Sequence, residues 1–276
     1  MPNPIFVFAD ITSYSLTASG GSSSGRDVSN LKSYSIDDIW ESNITGAHQS
    51  LTIDLGSIQT IDTLVIDNHN FITVLESGII QLQTADDYGF TINSTTAIFD
   101  IFPTNSNANV FTFPSVSNRY FKIFYDGIAI EKPYIGNLFL ATGLEFPRHY
   151  LYGYETNNGM SQTEEFFNLK GTIRSTQTDI TRDIYALDFK MLNNTFRNNF
   201  ASFVKNVKGK MKPYYFKDVN TNTKYVKFVT DYNPSKVLDY DLNDIASIKF
   251  ISLLENPLSS TTTAIYDVYE TDEIIL

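Results

Sequence analysis

The sequence predicts an all-β (mainly β) chain of two units. The first is a β-sandwich, and the second is a β-sandwich or split barrel carrying one helix. Three observations carry this reading. Short strand-like runs separated by Gly-, Ser- and Asn-rich turns fill the first half, the pattern of a sandwich or barrel. One stretch of the 276 residues repeats apolar positions clearly at helical spacing. The charge balance also changes along the chain: residues 1–147 carry 5 basic and 15 acidic side chains, residues 148–257 carry 15 and 12, and residues 258–276 carry four acids and no base. The expected units are therefore 1–147, 148–257 and an acidic C-terminal arm at 258–276.

In the first unit Leu51, Ile53 and Leu55 alternate with polar residues up to Gly56. Ile61, Leu64 and Ile66 follow, then Ile80 and Leu82, Ile98 to Phe102, Val110 to Phe113, and a closing strand and turn from Tyr120 to Gly127. The connections at 19–25, 86–89 and 105–109 have little capacity to bury themselves. Trp40, the only Trp, is expected to plug one end of the sandwich with its N–H on a loop carbonyl. Asp54, ahead of Leu55-Gly56, is expected to face outward or fix the turn. His69, between Asn68 and Asn70, reads as a hydrogen-bonded structural residue.

The second unit opens with strand-like segments 163–169, 171–177 and 180–191. The helix is expected over 193–208, where Phe196, Phe200, Phe203, Val204 and Val207 fall at offsets 0, 4, 7, 8 and 11 on one stripe. Asn193 or Asn194 can cap its start, Gly209 can end it, and Pro213 forbids its return. Strands are expected at 213–216, 225–229, 236–240 and 245–254. In the arm, Ile265, Tyr266, Val268 and Tyr269 read either as a frayed end or as a strand added to a neighbour.

Composition excludes several functions. The formal net charge of −11 disfavours DNA and anionic membranes as bulk partners, so neither specific nucleic-acid binding nor membrane insertion is expected. With no cysteine there is no disulfide framework, thiolate metal site or cysteine nucleophile. MPNPIFVF lacks the features of a secretory signal, and a soluble protein made without general export is expected. The three histidines, His48, His69 and His149, stand in no metal or catalytic motif, so no enzyme and no cofactor are expected. The acid pairs Asp37-Asp38 and Asp86-Asp87 read as solvated turns, with Ca²⁺ in a spike loop as the alternative.

An ordered set of motifs over residues 14–142 resembles the discoidin or galactose-binding-like domain, a jelly-roll sandwich. They are Ser15-Leu-Thr-Ala-Ser-Gly, Ile36-Asp-Asp-Ile-Trp-Glu-Ser, Leu51-Thr-Ile-Asp-Leu-Gly with Ile61-Asp-Thr-Leu-Val-Ile, Gln81 to Gly89, and Arg119 to Tyr125. Asp67-Asn-His-Asn-Phe, Ile135 to Ala141, Phe146-Pro-Arg-His, Tyr152-Gly-Tyr and Ser161 are similar to tailed-bacteriophage chains in which such a sandwich hands over to a second β domain. The segment from the helix through Gly209 to Pro213-Tyr-Tyr-Phe resembles the tail-tube or distal-tail fold.

The resemblance implies a structural virion protein of a phage tail, in its distal tail, baseplate or adaptor ring, made in the host cytoplasm. The C-terminal domain would form the ring and the sandwich would project outward. The implied partners are further copies of the chain, neighbouring tail proteins and a host-surface glycan. Ring contacts are expected on the hairpin 163–178, including Glu164, Phe166 and Arg174, and on the helix face. The basic cluster Arg197, Lys205, Lys208, Lys210, Lys212 and Lys217, with no acid among it, reads as a solvated helix back or as a contact with a neighbour's acidic surface. The alternative function is a carbohydrate-binding adhesin without ring assembly. Its site would lie on the spike loops, at Arg26, Asp37, Asp38, Asp86, Asp87 and Tyr88, with Tyr88 or Tyr34 as the sugar platform.

Overall fold

A computed structural model describes residues 3–103, 105–147, 155–157, 162–167, 173–178, 184–189, 194–218, 223–229, 246–253 and 265–266. The chain starts with β1 (Ile5–Val7), passes a 3-10 turn at Ile11–Ser13 into β2 (Ser15–Ala18), and a second at Val28–Lys32 before β3 (Trp40–Glu41). β4 (Gly46–His69), β5 (Leu75–Ala85), β6 (Thr95–Ile98), β7 (Asn109–Ala129) and β8 (Tyr134–Ala141) complete the sandwich. All are antiparallel, in the order β3-β8-β4-β7-β5-β6, with β2 on β4.

Two long strands make this one sheet into two layers. Gly46–Asp54 of β4 pairs with Tyr120–Ala129 of β7, and Gln59–Ile66 pairs with Asn109–Asn118. Between these stretches, residues 55–58 oppose Arg119 alone, so both strands turn the corner together. Gly56 takes φ +79°, a left-handed conformation that favours glycine. Asp54 fixes the corner: one carboxylate oxygen accepts the Gly56 N–H at 2.8 Å, and Arg119 donates to both oxygens at 2.7 and 2.8 Å. The fold encloses Leu51, Ile53, Leu64, Ile66, Phe121, Ile123 and Leu138, all buried. Ile98 to Phe102 does not form one strand, because β6 stops at Ile98.

Trp40 is buried as expected, but its Nε1–H has no hydrogen-bond acceptor. Packing explains the departure from the expected loop carbonyl. Burying an indole of ~200 Å² is worth roughly 5 kcal/mol, more than the roughly 1–3 kcal/mol lost with one unmade bond.

The second unit contains β9 (Leu144–Glu145), β10 (Glu155–Asn157), β11 (Gln162–Phe167), β12 (Ile173–Thr178), β13 (Ile184–Phe189), α1 (Asn194–Asn206), β14 (Tyr214–Lys217), β15 (Thr223–Phe228), β16 (Ala246–Ser252) and β17 (Ile265–Tyr266). Its main sheet runs β10-β13-β16-β15-β14-β1-β9. The start of the chain is thus a strand of this sheet: Phe6 lies opposite Phe216 on one side and Leu144 on the other. The sandwich is inserted between two adjacent strands, and the second sheet draws residues 5–7 and 144–145 from the expected span 1–147. Charge could not show this, because MPNPIFVF carries no charged side chain.

Phe6 anchors the second core, with the rings of Phe146, Tyr214, Phe216 and Phe203 at 4.9, 5.0, 5.4 and 5.5 Å. The stripe expected on α1 packs here: Phe196, Phe200, Phe203, Val204 and Val207 are all buried. The helix closes through Gly209, at φ +61°, whose N–H reaches the Val204 carbonyl at 3.0 Å. The expected strand at 236–240 lies outside the described residues. Ile265 and Tyr266 of the arm pair with Thr176 and Ser175 of the same chain, so this part of the arm adds a strand in cis.

The second sheet covers the outer face of the sandwich as a third layer. Leu138 and Leu140 of β8 belong to the sandwich core, while Phe139 between them meets Tyr215 and Tyr225 at 5.1 and 6.5 Å. Tyr225 donates to the Tyr34 carbonyl at 2.7 Å. Tyr34 is therefore a seam residue, stacked on Phe8 and T-shaped to Phe139, and not an exposed sugar platform.

The basic cluster is also partly internal. Lys212 pairs with Asp10 at 3.0 Å and sits 5.6 Å from the Phe8 and Tyr34 rings, Arg197 is buried, and Lys217 is half-buried. Charge complementarity between the units thus operates within one chain at Lys212, in place of either the solvated helix back or the contact with a neighbour's acidic surface. Lys205, Lys208 and Lys210 remain exposed. Glu164, Phe166 and Arg174 lie on the β11–β12 hairpin, with Phe166 opposite Arg174, and their side chains are outside the described set.

Candidate ligand cleft

The segment after β6 is pinned from inside. Ile101 is buried and its N–H reaches the Ile80 carbonyl at 2.6 Å, and Pro103 is buried two residues on. Phe102, held between these two anchors, is 77% exposed. The ring is thus held outward by the buried residues on either side of it, and it lines the cleft described next.

The next turn is laced by amides. The Asn107 N–H donates to the Asn105 side-chain oxygen at 2.9 Å, and Asn109 Nδ2 donates to the carbonyls of Asn105 and Asn107 at 3.0 and 2.6 Å. Facing this turn, β14 supplies Lys217 and β15 supplies Thr223 and Lys224. Together they enclose a cleft of about 470 Å³ along the seam between the units. Lys217 Nζ donates to the Val110 carbonyl at 3.3 Å, and burial lowers its pKa from the ordinary lysine value. No carboxylate or histidine is among the described lining residues. The cleft offers an apolar ring face, planar amides, a hydroxyl and ammonium groups, which suits a ligand with an apolar face and a polar rim.

A second cleft of about 430 Å³ lies on the same seam, lined by Asp10, Ser13, Gln59, Thr60, Thr142 and Asn206 among others. Its aromatics are already engaged: Tyr14 is buried and donates to the Leu140 carbonyl at 2.8 Å, and Phe8 packs on Tyr34. It lacks an outward-facing ring.

None of the six residues expected to bind ligand lines the Phe102 cleft. Arg26 forms an ion pair with Glu41 beside β3. Asp38 accepts the Ser33 hydroxyl at 2.9 Å, and the Asp37 N–H donates to Ser35 Oγ. Asp86 accepts from Asn93 Nδ2 at 2.6 Å. Asp87 accepts the N–H groups of Ile92 and Thr91 at 2.6 and 2.8 Å, and these bonds hold its pKa below the ordinary value. Tyr88 is 60% exposed beside Tyr120.

These residues are not brought together. Ala85, before the Asp86–Tyr88 turn, pairs with Tyr120. Arg26 and Glu41 lie near Pro133, beyond Ala129 at the other end of β7. Nine residues of strand separate the ends, ~30 Å. The acids bond within their own turns, Asp87 to backbone N–H groups and Asp38 and Asp86 to the side chains of Ser33 and Asn93, a use their adjacency in sequence does not reveal. Among the described residues no group of three or more His, Asp or Glu could hold a metal ion.

The cleft is not legible in the sequence. Phe102 falls at the end of the apparent strand 98–102, although Pro103 and the Asn-rich run behind it mark a strand end. Lys217, Thr223 and Lys224 reach the same space through tertiary packing alone.

No family model and no curated relative matches the chain. Among solved structures it is similar to chitosan-binding module 1 of a chitosanase/glucanase from Paenibacillus sp. IK-5, at 18% identity and a TM-score of 0.40, over 48% of this chain and 98% of that one. It is similar to a Clostridium perfringens module solved with GalNAc-β-1,3-galactose, at 14% and 0.40, over 48% and 98%. A family 32 carbohydrate-binding module of C. perfringens solved with galactose matches at 15% and 0.40, over 50% and 98%. These similar structures are carbohydrate-binding modules, each matched over nearly its whole length by about half of this chain.

Proposed function

We propose that the protein binds carbohydrate in the cleft between the Phe102 segment and β14–β15. The observation that carries this reading is the exposed Phe102 ring, fixed between buried Ile101 and Pro103 at the mouth of an amide-lined cleft. A sugar ring presents an apolar C–H face ringed by hydroxyls. Its face covers the aromatic, and its hydroxyls exchange hydrogen bonds with planar amides and Thr223. Covering about 80 Å² of ring surface returns roughly 2 kcal/mol, or about 30-fold in affinity. A glycan array probed with the full chain and with Phe102→Ala tests it. Glycans bound by the wild type and lost by the variant are expected; an unchanged pattern contradicts the placement.

A second reading, a structural phage-tail protein that forms a ring and displays the sandwich, rests on β11-β12-β17. Among the described residues these strands form a separate three-stranded sheet with β11 and β17 at its edges. Open strand edges pair with other chains, and under this reading Glu164, Phe166 and Arg174 of the hairpin carry the contact. Light scattering with negative-stain images tests it: closed rings support the reading, and a strict 31.2 kDa monomer weighs against it and for the carbohydrate reading.

A further inference from the structure

We infer that the glycan taken by the Phe102 cleft is anionic, a saccharide bearing carboxylate or sulfate groups. The inference rests on the carbohydrate reading of that cleft and adds its substrate class. In a chain of net charge −11, the charged residues lining the cleft are Lys217 and Lys224. The carboxylates nearest in sequence, Asp100 and Asp218, do not line it.

Lys217 is the deciding residue. Its position in β14, opposite Thr223, sets its stem into the seam. Its half-buried ammonium, with three N–H groups to satisfy, meets the Val110 carbonyl at 3.3 Å, a long bond to a neutral acceptor. A partly desolvated cation bonded in this way is under-compensated. An anionic group on a sugar seated against Phe102 would supply a charge-assisted bond there. Burial lowers the Lys217 pKa, in agreement with a cation that has no carboxylate partner among the described residues. The lysines belong to the unit with the basic balance, 15 basic and 12 acidic side chains over 148–257, which favours approach of an anion from that side.

The test is isothermal titration of the full chain with oligogalacturonate, a chondroitin sulfate oligosaccharide and a neutral oligosaccharide of equal length, for the wild type, Lys217→Gln and Lys217→Arg. Far-UV circular dichroism confirms that each variant folds. The expected result is at least tenfold tighter binding of one acidic ligand than of the neutral one. That preference is lost in Lys217→Gln, kept in Lys217→Arg and reduced as NaCl rises. Preference for the carboxylated or for the sulfated ligand identifies the anion. Equal binding of neutral and acidic ligands, indifferent to Lys217→Gln, overturns the anionic inference and leaves the carbohydrate reading standing. Binding of none overturns both. Full displacement by millimolar inorganic sulfate reduces the site to a simple anion site and overturns the inference as well.

Discussion

The Tyr215 hydroxyl donates to Asp67 Oδ2 over 2.9 Å, joining the second sheet to the sandwich where both residues are buried. The other carboxylate oxygen of Asp67 accepts the Asn68 N–H at 2.8 Å. The bond ties a strand of each unit into one layered body, and the seam it closes also forms the Phe102 cleft.

Removing that donor should loosen the seam. Burial raises the Asp67 pKa above 3.8, and the Tyr215 bond works against the rise. Tyr215→Phe is expected to destabilise the protein by about 2–3 kcal/mol at pH 7, measured by urea unfolding. A group with a raised folded pKa gives its full stability below the unfolded value and loses it as pH rises through the folded one. The variant raises that pKa further, so its deficit should shrink at low pH. A deficit independent of pH contradicts the assignment.

His69 gives the opposite sign. It is buried, its Nδ1 accepts the Phe71 N–H at 3.1 Å, and burial lowers its pKa from 6.5 to about 4. The neutral ring is therefore stabilising above pH 6.5, and that contribution is lost as pH falls toward 4, on the order of 3 kcal/mol in total. In His69→Asn the side-chain oxygen can still accept from Phe71, so the variant should show a flatter stability profile between pH 7 and 4.5. An unchanged slope would assign the dependence to other groups.

Asp54 and Arg119 hold the sandwich corner. The Arg119 hydrogen bonds lower the Asp54 pKa below 3.8, with the Gly56 N–H adding to the effect. This contribution is full above 3.8 and fades as pH falls through the lowered value. Asp54→Asn keeps an acceptor for Gly56 but removes the charge. A loss of about 1 kcal/mol at pH 7 is expected, and thermal melts at pH 7 and 3 should show the gap to the wild type closing.

Much of the fold is legible in the residues. The alternation at Leu51, Ile53 and Leu55, the turn at Asp54–Gly56 and the Phe196–Val207 stripe each report a local period or turn that tertiary packing leaves in place. Phe6 is different. Three uncharged residues at the start of a chain carry no pattern that says which sheet they enter, and their place between β14 and β9 comes from packing 200 residues away. The cleft was illegible for the same reason. Phe102 looks like strand until Ile101 and Pro103 are seen buried on either side of it, and Lys217 and Lys212 look like solvated helix-back lysines until the seam is built around them. The acidic turns show the same limit, since Asp87 spends its oxygens on Thr91 and Ile92, and one oxygen of Asp86 accepts from Asn93 while the other is buried without a partner.

The most direct measurement is isothermal titration of the full chain with the glycan that binds best, comparing wild type, Phe102→Ala and Tyr88→Ala. Tyr88 is an exposed ring away from the cleft lining, beside Tyr120 at the far end of the sandwich. The cleft account predicts that Phe102→Ala weakens binding at least tenfold and Tyr88→Ala leaves it unchanged. Loss with Tyr88→Ala and none with Phe102→Ala would place binding on the turn loops and contradict it.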